Sequence, residues 1–145
     1  MGRLAAAIAF MIAAVAPGQG PAATDAVFGY WLSENERAII EMSQCGSTLC
    51  GRMVWLSDPV DASGTPKRDA KGAPLCGIHL VDGFRQRDIG RWADGDIYNP
   101  RDGKTYSGRL TLIDADRLEV RGYVGVPAFG KSQIWTRTDG DRGGC

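Results

Sequence analysis

From Val27 to Thr138 the chain is divided into short runs in which apolar and polar residues alternate, and most divisions fall on Gly, Pro, Asp or Asn. A period of two puts every second side chain on the same face of an extended strand. No stretch carries the three-to-four-residue spacing of an amphipathic helix. The runs are Val27 to Leu32, Arg37 to Cys45, Leu49 to Leu56, Gly77 to Phe84, Ile89 to Asn99, Lys104 to Ile113, Arg117 to Val124 and Ser132 to Thr138. Ala38, Ile40 and Met42 share one face of the second run; Leu118, Val120, Gly122 and Val124 share one face of the seventh. Most links are short enough for hairpins: Gly46-Ser47-Thr48, Pro100-Arg101-Asp102-Gly103, Asp114-Ala115-Asp116. Pro127 to Gly130 predicts a corner with one helical turn. About eight strands joined in sequence predict an all-β fold, a small up-and-down antiparallel barrel, since closure leaves no unpaired edge. Gly51, Gly95, Gly108 and Gly122 fall inside strands, where small closed sheets bend.

The long link is Ser57 to Leu75 (SDPVDASGTPKRDAKGAPL), rich in Pro, Gly, Asp and Lys. It predicts a surface loop of a length uncommon in compact domains.

Ahead of the strands, Arg3 precedes a continuous apolar run from Leu4 to Val15, broken by Pro17, Gly18 and Gly20 and followed by Ala22 and Ala23. The run is shorter than the roughly 20 residues that cross a bilayer. It has the layout of a secretory signal peptide over residues 1–23, which predicts a periplasmic or secreted mature chain, residues 24–145, forming one domain without a membrane span. The 145 residues carry 17 Lys plus Arg against 17 Asp plus Glu, and the leader removes only Arg3. A near-neutral, mixed surface excludes a nucleic-acid footprint.

Cys45, Cys50, Cys76 and Cys145 all lie in the exported part. An even number of cysteines in an oxidising compartment predicts two disulfides. Cys45 and Cys50 flank one tight turn; a bridge from Cys76 to Cys145 ties the long loop to the chain end. In the chain-entropy model the longer closure stabilises by about 4 kcal/mol and the shorter by about 2. Zinc finds no ligand spacing, with no CxxC and only His79 among histidines. His79 has no nucleophile placed beside it by any motif, and no catalytic residue, metal or cofactor is expected. Asp94, Asp96 and Asp102 do not follow the spacing of a calcium loop and read as turn-forming aspartates.

Gly29 and Trp31 lie on the same side of the first strand. There the indole closes the barrel floor. A closed barrel sets its last strand beside its first, so Arg137 of Trp135-Thr136-Arg137 is expected across the Trp31 ring, a stack worth about 0.5 to 2 kcal/mol. Of the other aromatics, Trp55, Trp92, Tyr98 and Tyr106 are candidates to line a cup, together with Arg121, which either points to solvent or is buried against a carboxylate.

Gly-x-Trp on the first strand with Arg on the last resembles the lipocalin and avidin superfamily. A longer pattern comprises Gly29-x-Trp31, Leu49-Cys50-Gly51-Arg52, Trp92-x-x-Gly95-x-Ile97-Tyr98-x-Pro100-x-x-Gly103-Lys104-x-Tyr106, Leu118-x-Val120-Arg121-Gly122-Tyr123-x-Gly125 and Trp135-x-Arg137. It spans the mature chain and resembles a bacterial exported family, domain of unknown function 2147. The resemblance implies a lipocalin-like barrel and carries no activity. It departs after Asp69, where Ala70-Lys71-Gly72 replaces an expected Asn-Pro. Small barrels are either filled by side chains or hold one small ligand. The expectation is therefore a non-enzymatic exported barrel binding a small, largely apolar or amphipathic ligand in its mouth, with a filled barrel acting as an envelope interaction protein as the alternative. The sequence assigns no oligomeric state.

Overall fold

The structure, a computed structural model, describes Ala14, residues 25–140, Arg142, Gly143 and Cys145. Apart from Ala14, the leader lies outside the described residues, as does the start of the domain at residue 24. Eight antiparallel strands run in order: β1 (Gly29–Leu32), β2 (Ala38–Cys45), β3 (Thr48–Leu56), β4 (His79–Asp88), β5 (Arg91–Asn99), β6 (Lys104–Asp114), β7 (Arg117–Tyr123) and β8 (Lys131–Thr138). Each pairs with its sequence neighbour, and β8 returns to β1 through Tyr30↔Thr138, Trp31↔Arg137 and Leu32↔Thr136. The sheet is a closed barrel.

Val27 is not in the first strand. Asp25–Val27 forms a short 3-10 helix ahead of β1, with Val27 fully buried in the barrel core. One end of the barrel is closed by this helix and by the β2–β3, β4–β5 and β6–β7 turns. The other, open end carries the links at residues 33–37, 57–78, 100–103 and 124–130.

Alternation sets the interior. Leu110↔Val120, Gly108↔Gly122 and Leu112↔Leu118 keep the inward sets of β6 and β7 side by side. Register shifts interrupt this regularity in five of the strand pairs, and those in β3 and β5 bear on the candidate residues. In β3 the partners step from Ile39↔Trp55 to Ile40↔Met53, leaving Val54 extra. In β5 they step from Ala93↔Arg109 to Gly95↔Gly108, leaving Asp94 extra with φ 60°. An extra residue reverses which parity faces inward beyond it. Met53 is therefore inside and Trp55 outside, while Trp92 and Ile97 are inside and Tyr98 outside.

Gly51 and Gly95 fall at register shifts, where a strand bends, and the interior glycines also leave space inside the barrel. A Cβ on Gly95 would lie 2.2 Å from the Phe84 ring, one on Gly108 2.5 Å from it, and one on Gly51 2.6 Å from the Met42 sulfur. These positions are empty so that large side chains can cross the barrel.

The long loop is ordered by its own backbone. Asp61 N–H donates to Thr65 O and Gly64 N–H to Asp61 O; eight residues on, Asp69 N–H donates to Ala73 O and Gly72 N–H to Asp69 O. Asp61 Oδ1 accepts from the N–H groups of Ser63 and Thr65, and Asp69 Oδ1 from those of Lys71 and Ala73. Gly64 and Gly72 take φ of 81° and 85°. The bridges Val60↔Pro66 and Arg68↔Pro74 repeat at the same interval. DASGTP and DAKGAP are two copies of one side-chain-capped turn.

Candidate functional site

The floor is built from segments far apart in sequence. Trp31 is fully buried and its Nε1–H donates to Val27 O at 2.8 Å. The Arg137 guanidinium carbon sits 4.2 Å from the Trp31 ring centroid. Its Nε donates to Ala115 O at 2.6 Å, Nη1 to Phe28 O at 3.0 Å, and Nη2 to Ala26 O. Gly29 has φ 110°, and a Cβ there would come 3.2 Å from Arg137 Nη1. Glycine is thus required twice, by the backbone and by the guanidinium.

Above the floor, Phe84, Trp92, Leu110, Leu118, Val120 and Trp135 fill the barrel, each 5% exposed or less. Trp135 Nε1–H donates to Gln133 Oε1 at 3.0 Å, which satisfies its polar atom.

The five candidate ligand residues do not converge. Trp92 is core packing in the floor half. Tyr106 lies inside at the open end, its hydroxyl donating to Asp102 Oδ2 at 2.6 Å. Trp55 is on the outer wall with the Arg142 guanidinium 5.0 Å from its ring centroid. Tyr98 is on the outer wall, its hydroxyl donating to Asp69 Oδ2. Arg121 also points outward and is neither solvated alone nor paired with a carboxylate. Its Nε donates to Pro127 O at 2.8 Å, Nη1 to Ser132 Oγ at 2.9 Å and Nη2 to Ala128 O at 3.5 Å.

Two recesses mark the outer wall. The larger, about 510 Å³, runs between β1–β3 and the C-terminal segment, with Tyr30, Glu41 and Arg52 on its barrel side. The Glu41–Arg52 ion pair crosses it at 3.0 Å. Cys76–Cys145 fastens that segment to the end of the long loop, and a Cβ on Gly140 would meet the Tyr30 ring at 2.7 Å. The second bond, Cys45–Cys50, is diagonal: Cys45 pairs with Thr48 and Cys50 with Ser43, and the two Cα atoms are 5.8 Å apart. The smaller recess, about 230 Å³, holds His79, Asp82, Asp96, Tyr98 and Thr105. Asp82 and Asp96 are direct cross-strand partners. Among the described residues no group of three or more His, Cys, Asp or Glu is placed to hold a metal ion.

Of the three aspartates read as turn-forming, only Asp102 holds a turn; Asp96 lies within β5 and Asp94 in its bulge, because the run from 91 to 99 is one strand. Asp94 occupies the β5 bulge and pairs with Arg87. Asp102 accepts Lys104 N–H at 2.8 Å, and its carboxyl is held below the usual range first by the Tyr106 hydroxyl and then by that amide. Asp69 is lowered chiefly by the Tyr98 hydroxyl, and the same bond pushes Tyr98 up to about 12. Lys71 sits 5.5 Å over the Tyr98 ring, and Ala70 N–H donates to Pro100 O at 2.9 Å. The contribution of Asp69 is the one that residue types alone miss. Its signal is the repeat of Asp-Ala-x-Gly-x-Pro at 61 and 69.

Against known proteins, no curated sequence matches this chain. A solved structure described as protein HP1028 from the human pathogen Helicobacter pylori, belonging to the lipocalin family, is similar over 78% of this chain and 83% of that one. The TM-score is 0.65 and the identity 18%, a likeness of fold alone. The family model for DUF2147, an uncharacterized protein conserved in bacteria, matches residues 29–137, a span that opens on the glycine beneath Arg137 and closes on Arg137 itself. The chain belongs to the DUF2147 family and has its lipocalin-like, eight-stranded barrel.

Proposed function

We propose that the protein is an exported, non-enzymatic barrel with a filled interior, which works through its open rim and outer wall as an interaction protein of the cell envelope. The observation that carries this is Phe84. Its ring occupies the space that side chains at Gly95 and Gly108 would take, in the middle of the barrel where a carrier needs a hollow. The two disulfides support export, since such bonds persist in oxidising compartments. The second reading, a small apolar ligand in the mouth, draws on one feature: Ile97 and Tyr106 are only half-buried at the open end.

Native mass spectrometry of protein purified from its own periplasm tests both parts. The expected species starts near Thr24, contains two disulfides and carries no adduct. A small molecule retained at every purification would sink the filled barrel. A protein recovered only from the cytoplasm with its leader intact would sink export.

A further inference from the structure

The β7–β8 link is the least barrel-like part of the rim. Val124, Val126 and Phe129 are 73%, 49% and 82% exposed, and they make up half of the exposed large apolar residues among the described ones. Of the other three, Val60 lies in the long loop, while Ile89 in the β4–β5 turn and Ile113 near the end of β6 are a neighbouring pair at the closed end. Isolated surface apolar residues need no explanation, whereas a cluster on one projecting loop does.

The loop is held rigidly. Val126 N–H donates to Val124 O, Phe129 N–H to Val126 O and Gly130 N–H to Pro127 O, at 3.1 to 3.2 Å. The carbonyls of Pro127 and Ala128 are taken by Arg121. Each backbone group satisfied from within lowers the cost of entering a medium that offers no hydrogen bonds.

Charge favours the same medium. The neighbouring β5–β6 turn exposes Arg101 and Lys104, and Lys131 is exposed where β8 begins. None of the three makes an ion pair among the described residues. The one acid among them, Asp102, is engaged by Tyr106 and Lys104 N–H. Glu34 and Glu36 lie on the far side of β8, and Glu34 accepts the Ile134 N–H. An apolar tip flanked on one side by Arg101, Lys104 and Lys131, with Asp102 the one carboxylate among them, complements the boundary between anionic headgroups and acyl chains.

We propose that this loop docks the protein on a lipid surface: Val124, Val126 and Phe129 enter the acyl boundary, and Arg101, Lys104 and Lys131 face anionic headgroups. Arg121 is a positioning residue for the tip. The proposal deepens the envelope reading above by naming the partner.

Co-sedimentation with vesicles tests it, using phosphatidylethanolamine with a minority of phosphatidylglycerol against pure phosphatidylcholine. The wild-type protein should bind the anionic vesicles and bind them less as salt rises. A double Val124→Ser, Phe129→Ser variant should bind at least about tenfold more weakly with an unchanged melting curve, since both side chains are already exposed. Lys131→Gln should weaken binding to anionic vesicles about fivefold and leave phosphatidylcholine unaffected. Absence of wild-type binding, or full binding by the double variant, overturns the proposal. Self-association that Phe129→Ser abolishes, with no vesicle binding, overturns it in favour of a second copy as the occupant. A lipid molecule retained after the vesicles are removed would instead sink the filled barrel while leaving the docking loop standing.

Discussion

At the closed end, Arg137 is held by carbonyls of Ala26, Phe28 and Ala115, and its guanidinium covers Trp31. At the open end, Asp61, Asp69 and Asp102 are held mostly by amides two to four residues further along the chain. The first kind of contact exists only when β8 lies beside β1, so it specifies the topology. The second kind forms wherever the local sequence permits and says nothing about the barrel beneath it. A floor made of distant partners resists change in any one of them. A rim made of self-contained turns is free to change its chemistry while the sheet stays intact, as binding loops on rigid scaffolds do.

The largest expected difference between the two ends is in stability. Arg137→Ala should cost about 3 kcal/mol, because three carbonyls lose a charged donor together with the ring contact. Trp31→Ala should cost about 4 kcal/mol. Urea denaturation followed by tryptophan fluorescence reads both, and an unshifted midpoint for Arg137→Ala would remove the floor from its structural role. Arg137→Lys should recover only part of the loss, since an ammonium lacks the planar fork that reaches separate acceptors.

A smaller effect separates the interior glycines from those of the rim. Gly95→Ala drives a methyl into Phe84 and should cost about 2 kcal/mol. Phe84→Leu placed in that background should relieve part of it. Gly64→Ala meets nothing within 4 Å, so only its φ of 81° opposes it and the cost should stay near about 1 kcal/mol. Equal costs at the two positions would mean that Phe84 does not fill the barrel.

The smallest effect on global stability is at the loop latch, and it is read through pH. Asp69 is lowered from 3.8 in the folded protein, so its contribution is present above that value and lost as pH falls through the lower, folded one. Tyr98 is raised from 10.0 to about 12, so its contribution is present below pH 10 and lost as pH rises toward 12. Amide exchange at Lys71 and Ala73 should therefore slow to a plateau between these limits, after correction for intrinsic rates. Tyr98→Phe should lower that plateau without moving the melting midpoint by more than a degree or two. Identical protection in Tyr98→Phe would separate the loop from the barrel wall.

The closed end is largely legible in the sequence. Gly29, Trp31 and Arg137 specify a strand pairing, and a period of two carries that pairing along the chain. The wall is less so, and two single residues explain why. Counting by twos from Leu49, Gly51 and Met53 puts Trp55 inside, and counting from Trp92 puts Tyr98 inside. Val54 and Asp94 are extra residues at bulges, and each reverses the faces of the strand beyond it. Val54 carries no local signature; in β5 Gly95 does predict a bend, but the extra residue is Asp94 beside it, with φ 60°, so the sequence marks the break without showing which residues change face. Arg121 stands between two environments in the sequence because its partners are mostly backbone carbonyls, which have no letter there.

The paired turns of the long loop bear on how this chain can lengthen or shorten. Residues 61–68 form one unit, and the next begins at Asp69 with the same geometry. Excising the unit would join Val60 to Asp69 and hand the Pro59 carbonyl from Lys67 N–H to Leu75 N–H, preserving the latch on Tyr98. The segment is thus a natural insertion and deletion point for steps of one whole turn, since such a step leaves Asp69 and its own turn as they are.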